Sequence, residues 1–248
     1  MSRQPDAVIP RDELLPGVKV LTTLRSGGVS EGPYASLNPA LHVGDDPLAV
    51  HENRRRLMRA FSLPGEPLWL EQVHGTHIVD ADIAGTGRPP TADGAVTRTR
   101  NRVLAVMTAD CLPVVLASAN GKALAIAHAG WRGLAAGVLD AALEALGAEP
   151  RDVAAWIGPG IEPRHYEVDT RVRSAFDSFP GEDRAFTGTG GLHWQCDLAH
   201  LARSSLEAAG VGRVRQSGLC TYADPERFFS YRRDGQTGRM ATLAWLAA

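Results

Sequence analysis

Cysteine is scarce. The chain has three, at 111, 196 and 220, an odd and widely spaced set that makes a poor disulfide framework and leaves each thiol available to other chemistry. No apolar run is long enough to cross a bilayer, and residues 1–16 contain no hydrophobic signal core. Neither sign of charge prevails: 26 Lys and Arg stand against 28 Asp and Glu, so no basic footprint points to nucleic acid and no acidic tail to a solvating role. Linkers, low-complexity tracts and internal repeats are missing too. Together these absences predict a soluble cytoplasmic protein, monomeric or weakly oligomeric, with neither nucleic acid nor membrane as a partner. One domain accounts for its length better than two.

Strand-like patterns cover residues 18–24, 68–73, 95–97, 102–107 and 153–157. Asp46 followed by Pro47 reads as a cap and first turn, opening a helix that runs to about Phe61. Its apolar stripe is Val50, Leu57, Met58 and Phe61, and Asn53 and Arg54 fall on the same side. An inward charge is costly unless paired, so Arg54 reads either as half of a buried ion pair or as a ligand for an anion. Residues 134–146 read as one helix closed by Gly147. Asp169 caps another bearing Val172, Ala175, Phe176 and Phe179, and Asp197 a third that stops at Gly210. Residues 228–231 and 240–246 flank a polar, Arg-rich tip and predict a terminal hairpin. Helices alternate with strands, yet several strand pairs are joined by turns of hairpin length. The expected fold is therefore α/β with mixed or stacked sheets and helices outside, not a purely doubly wound sheet.

One stretch organises the rest. Residues 113–118 and 122–127 are apolar β-like runs separated by Asn120-Gly121, a strong signal for a tight hairpin. If Ala119 pairs with Lys122, then Pro113 lies opposite His128 and Cys111 opposite Gly130. Alternation of side chains puts Cys111 and His128 on one face as diagonal neighbours, with backbones roughly 7–8 Å apart. Gly130-Trp131-Arg132-Gly133 then leads into a helix, and a glycine-containing helix start with an arginine suits an anion.

Cys111, His128 and His74, the last at the end of residues 68–73, are the candidate metal ligands. Three ligands from separate strands with no obvious fourth fit a catalytic zinc with one open position, which activates water as a nucleophile. The same spacing also fits a metal-free reading, with Cys111 as thiolate nucleophile and His128 or His74 as its base. A buried cysteine and a satisfied core histidine are the plainer alternatives.

Several motifs occur in order: Gly27-Gly28-Val29-Ser30, Ser36-Leu37-Asn38, His42-Val43-Gly44-Asp45-Asp46, Glu52-Asn53-Arg54, Gln72-Val73-His74-Gly75, Ala109-Asp110-Cys111-Leu112-Pro113 and His128-Ala129-Gly130-Trp131-Arg132-Gly133. They are followed by Cys220-Thr221-Tyr222, Phe229-Ser230-Tyr231-Arg232-Arg233-Asp234 and Gly238-Arg239-Met240-Ala241. As a set they resemble the YfiH/YlmD family, also called the laccase-domain or polyphenol-oxidase family. The resemblance runs from about Val18 to the C-terminus, leaving residues 1–17 as a loosely ordered N-terminal segment and 18–248 as one catalytic domain.

That resemblance implies a layered α/β/β/α sandwich and a zinc, with Cu2+ as the other metal to consider, held by His74, Cys111 and His128. It implies phosphorolysis of adenosine, inosine and methylthioadenosine by inorganic phosphate, with adenosine deamination beside it. Arg132, Arg54, Asn38, Gly130 and Gly133 become candidates for binding phosphate or ribose. Asp110 and Asp93 are the nearest carboxylates for the proton shuttle that zinc deaminases need. Where relatives often carry a cysteine-rich segment, this chain has Gly158-Pro159-Gly160-Ile161-Glu162-Pro163-Arg164-His165. Three rivals stand: a hydrolase editing peptidoglycan precursors, a copper-dependent polyphenol oxidase, and a zinc-stabilised binding module without turnover.

Overall fold

The computed structural model describes residues 4–85 and 87–248. Strands β1 (Ala7–Val8), β2 (Val18–Thr23), β3 (Ile78–Asp80), β4 (Gly94–Thr97), β5 (Leu104–Thr108), β6 (Leu112–Ser118) and β7 (Leu124–Ala129) come first. They are followed by β8 (Val153–Ile157), β9 (Glu167–Asp169), β10 (Phe186–Gly190), β11 (His193–Cys196), β12 (Arg213–Gln216) and β13 (Met240–Leu246). The helices are α1 (Pro47–Ala60), α2 (Trp131–Ala135), α3 (Val138–Leu146), α4 (Thr170–Ser174), α5 (Glu182–Ala185), α6 (Leu198–Ala208) and α7 (Tyr231–Asp234).

Two sheets lie face to face. One has the order β1-β2-β13-β5, the other β12-β8-β6-β7-β4-β3, and a small third sheet is β10-β11-β9. Period-two alternation sorts the residues between layers. Val20, Leu104, Val106, Met240 and Ala244 meet Val115, Ala117, Leu124, Ile126 and Trp156 between the sheets. Leu21, Ala105, Met107 and Leu243 face the other way, toward Leu57 of α1. Val114, Leu116, Ala125 and Ala127 face Val138, Leu139 and Ala142 of α3 and Leu201 and Leu206 of α6. Strands buried on both faces must be apolar throughout, which is why β5 to β7 read as continuous runs. The result is the layered α/β/β/α domain with mixed sheets.

The hairpin register is the expected one, with Pro113 opposite His128 and Val114 opposite Ala127. Its loop is longer than two residues. The Ser118 amide still reaches the Ala123 carbonyl, but the Ala119 N–H turns away to Asp152 O. Ser118 Oγ accepts from Ala123 N, and Asn120 Oδ1 accepts from Lys122 N, so side chains close the turn.

Elsewhere the structure departs from the sequence patterns. Residues 68–73 form no regular strand and make only bridges, Leu68 with Leu104 and Glu71 with Thr91. The pairing that would have continued is made by a side chain instead: Gln72 Nε2 donates to Met107 O and Gln72 Oε1 accepts from Met107 N. The helix expected over 134–146 is two helices, α2 and α3, broken at Gly137, whose left-handed φ of 92° interrupts the turn. Residues 228–231 do not pair with β13, which instead lies between β2 and β5. Ser230 caps the short α7, accepting from Arg233 N. Residues 4–17 are tied to the body: β1 pairs with β2, and Leu14 is 1% exposed.

Candidate metal centre

His128 is the penultimate residue of β7 and shares its parity with Ile126, so it faces the space between the sheets near its end. Cys111 immediately precedes β6. His74 arrives from the irregular segment after Gln72, at a left-handed φ of 60° that non-glycine residues seldom adopt. The donor atoms of His74, Cys111 and His128 all lie within 4.8 Å of one another. Cys111 Sγ is 4.0 Å from His74 Nε2, and the two imidazoles meet edge to face at 4.7 Å between centroids. His128 is buried, Cys111 intermediate and His74 exposed, so the cluster is open toward solvent on one side.

Asp93, fully buried, holds the arrangement together. Its Oδ1 accepts from His74 N at 2.9 Å and lies 2.9 Å from His128 Nδ1, while Oδ2 accepts from Val73 N and Gly75 N at 3.1 and 2.6 Å. Those contacts use all four acceptor sites of the carboxylate. Burial raises the Asp93 carboxyl, but the bonds from His128 and from the Gly75 and Val73 amides outweigh it and leave it below its ordinary value. An ionised Asp93 fixes the Nδ1–H tautomer of His128 and directs Nε2 to the metal side, the carboxylate–histidine arrangement typical of metal sites. Asp93 is thus an anchor with no position left for shuttling a substrate proton.

The other expected residues have more varied places. Asp110, at a φ of 90°, accepts from Thr221 Oγ1 at 2.6 Å, Ser230 Oγ at 3.0 Å and Arg232 N at 2.7 Å, so its carboxylate fastens the segments around 221 and 231. Asn38 is fully buried, and its amide is saturated: Nδ2 donates to Ala40 O and Asp45 Oδ2, while Oδ1 accepts from Ala40 N and Arg239 N. It shapes the loop, with no hydrogen-bonding capacity left for phosphate. Gly130 matters by what it lacks. A Cβ there would lie 2.9 Å from both Cys111 Sγ and His74 Cδ2. At Gly133 a Cβ would lie 2.9 Å from Gly75 O, so this glycine lets α2 approach the His74 segment. Arg132 is exposed, its guanidinium 4.6 Å from the Trp131 ring centroid, on a five-residue helix too short to contribute a strong dipole.

Arg54 makes no ion pair among the described residues. Its Nε donates to Pro39 O and its guanidinium lies over Trp69 at 4.1 Å. Burial lowers its pKa to about 10. Two further residues join it. Arg239, mostly buried, donates to the Thr237 and Gly238 carbonyls. Burial lowers its pKa, and the negative fields of Cys111 and Asp110 partly offset that. His42 is held below its ordinary value by desolvation from its neighbours and then by the positive fields of Arg239, Arg54 and His128, though its side chain reaches solvent. Arg239 carries no local signal in its sequence neighbourhood; only the packing of β13 beside β5 brings it near Cys111.

Burial pushes the Cys111 thiol up, but hydrogen bonding and the positive fields of His128 and His74 bring it down to about 6. Burial lowers His128, and the bonds to Asp93 and Cys111 overcome this to raise it to about 9. Without metal the pair is therefore thiolate and imidazolium at neutral pH. Cys196, by contrast, is pushed by burial to about 12. In metal-free protein, iodoacetamide labelling of Cys111 should rise with pH through about 6 rather than near 9, with Cys196 unlabelled. Peptide mass mapping over a pH series tests this.

The donor set fits zinc: a thiolate and two imidazoles, one oriented by a carboxylate, with room for an exchangeable fourth ligand. The same donors accept copper. Comparison with known proteins places the chain. A family model described as multi-copper polyphenol oxidoreductase laccase matches residues 19–247. A purine nucleoside phosphorylase of Xylella fastidiosa is 47% identical over 99% of both chains. Purine nucleoside phosphorylase YfiH of Escherichia coli is 44% identical over 96% of this chain and 98% of its own. Among solved structures, a Neisseria meningitidis protein superposes with a TM-score of 0.92 at 44% identity, covering 99% of this chain and all of its own. YlmD of Geobacillus stearothermophilus gives 0.88 at 32% identity, covering 98% of this chain and all of its own. With its layered fold and its His74–Cys111–His128 cluster, the chain belongs to the laccase-like YfiH family.

Proposed function

We propose that this protein is a zinc-dependent purine nucleoside phosphorylase acting on adenosine, inosine and methylthioadenosine, and that the same site deaminates adenosine. One juxtaposition carries the reading. A soft three-donor cluster, open toward His74, lies within the fields of Arg239 and His42, and Arg54 stands on the far side of His42; neither arginine has a carboxylate partner among the described residues. Relatives named purine nucleoside phosphorylase support the substrate class.

Phosphorolysis joins a phosphate oxygen to C1′ of the ribose and breaks the bond from C1′ to the purine, whose electron pair leaves with the base and takes up a proton. Arg239 and Arg54 bind and orient the anion, with Arg132 at the rim. Partly desolvated guanidiniums without carboxylate partners attract phosphate more strongly than exposed ones. His42, uncharged near neutral pH, offers an acceptor and is the group we assign to proton relay, taking the proton that dihydrogen phosphate gives up as it attacks and passing it to the departing base, since Asp93 and Asp110 are engaged elsewhere. Bound zinc supplies a Lewis acid and, for deamination, the means of activating water.

Product analysis on adenosine tests this directly. Free adenine that depends on phosphate marks phosphorolysis, and inosine marks deamination; neither product from zinc-loaded protein would overturn the proposal. Arg239→Met is expected to raise the phosphate KM about 10- to 100-fold, the range for losing a hydrogen bond to a charged group. Arg132→Met should shift it less, and phosphate titrations of both variants decide the ranking.

A second reading draws on the chain of contacts from Asp93 through His128 to Cys111, which suits an activated thiolate nucleophile. It predicts amide hydrolysis, for instance of a peptidoglycan precursor, that survives metal removal and is abolished by iodoacetamide.

A further inference from the structure

A second cluster lies outside the His74–Cys111–His128 centre. The Gly158–Ile161 loop runs beside residues 219–221: Gly160 bridges Cys220 in parallel, Gly160 N donates to Leu219 O and Thr221 N to Gly160 O. Glu162 follows, and its amide donates to Cys220 Sγ at 3.4 Å. A 3-10 turn over Pro163–His165 brings the chain back, with His165 N donating to Glu162 O. The His165 ring then stacks on Tyr222, with centroids 4.3 Å apart and planes at 16°. Two segments far apart in sequence thus deliver a carboxylate, an imidazole and a thiol whose donor atoms all lie within 4.8 Å of one another. Cys220 is buried, while Glu162 and His165 are partly exposed.

We propose that Glu162, His165 and Cys220 form a second metal site, for a zinc-class divalent cation. The thiol excludes magnesium and calcium, which take oxygen ligands, while a mixed S, N, O set suits zinc. Two features prepare it. The Glu162 amide directed at Cys220 Sγ holds the sulfur in place, and stacking on Tyr222 fixes the His165 ring. Arg164 Nε contacts Glu162 Oε2 at 2.9 Å, leaving Oε1 for the metal. The site is also linked to the first centre by a side-chain hydrogen bond. Thr221, next to Cys220, donates to Asp110, next to Cys111.

Equilibrium dialysis of chelator-treated full-length protein against zinc alone tests this. Wild-type protein should bind two equivalents, one per cluster. Cys111→Ser should bind one, His165→Ala one, and the double variant none. Cobalt substitution gives an independent readout: a thiolate-to-cobalt charge-transfer band should persist in Cys111→Ser and vanish in Cys111→Ser/His165→Ala. Because His165 is partly exposed, its loss should leave folding intact, and circular dichroism verifies that. Wild-type binding of a single equivalent that disappears in Cys111→Ser would overturn the second site, as would unchanged stoichiometry in His165→Ala.

Discussion

Replacing Cys111 with serine is expected to strip zinc from the His74–His128 pair and to lower phosphorolysis by about a hundred- to a thousandfold, the range for removing one element of transition-state electrostatic stabilisation. A serine hydroxyl does not ionise at neutral pH and is a poor ligand for a soft or borderline metal. Stability should change little, because Cys111 sits at the edge of the core rather than inside it. Metal content and steady-state rates measured on the same preparation check the result. Retention of the full wild-type zinc content with normal turnover in this variant would refute the metal-dependent reading. Wild-type protein stripped with a chelator should lose activity to the same extent and recover it with zinc.

Asp93→Ala is the second large effect, and there folding suffers as well as chemistry. The substitution leaves three amides, those of Val73, His74 and Gly75, without their acceptor, and takes the counter-charge from His128. Breaking a buried charged network by removing one partner costs about 3–5 kcal/mol. For a chain of this length that corresponds to a fall in Tm of about 10 °C, measurable by calorimetry. Asp93→Asn should recover part of the stability by packing alone. It should still bind zinc about 10- to 100-fold more weakly, since an amide cannot orient His128 as the carboxylate does. Equal zinc affinity in Asp93→Asn and wild type would show that the carboxylate does not set the histidine.

The metal cluster was partly legible in the chain. Asn120-Gly121 and strict alternation were enough to set Pro113 opposite His128, which brings Cys111 to the same end of the hairpin. His74 was another matter. No period places a residue at a φ of 60° on a segment held by Gln72 and Asp93; it was singled out as the histidine ending a strand-like run, and that run forms no regular strand. Long-range side-chain bonds have no signature in local pattern. This is why Asn38, Asp93 and Asp110 read as binding or catalytic groups when each is an anchor for backbone. Arg239 and His42 were missed for the same cause, since their neighbourhood is created by tertiary packing of distant segments. In the scaffold, caps at Asp46, Asp169 and Asp197 were readable because a cap is a local bond. The break at Gly137 was not, because glycine within a helical pattern is ambiguous until its φ is known.

The three donors are not equally tethered. Cys111 abuts β6 and His128 lies within β7, strands embedded between two layers, whereas His74 rides on a side-chain-pinned segment at the surface. If an ion is held there, the His74 imidazole would be the donor that lets go most readily, while Cys111 and His128 would keep their hold from inside. Lability would be governed by how tightly Gln72 clamps Met107, so the residence time of the ion could be tuned at a position that never touches it.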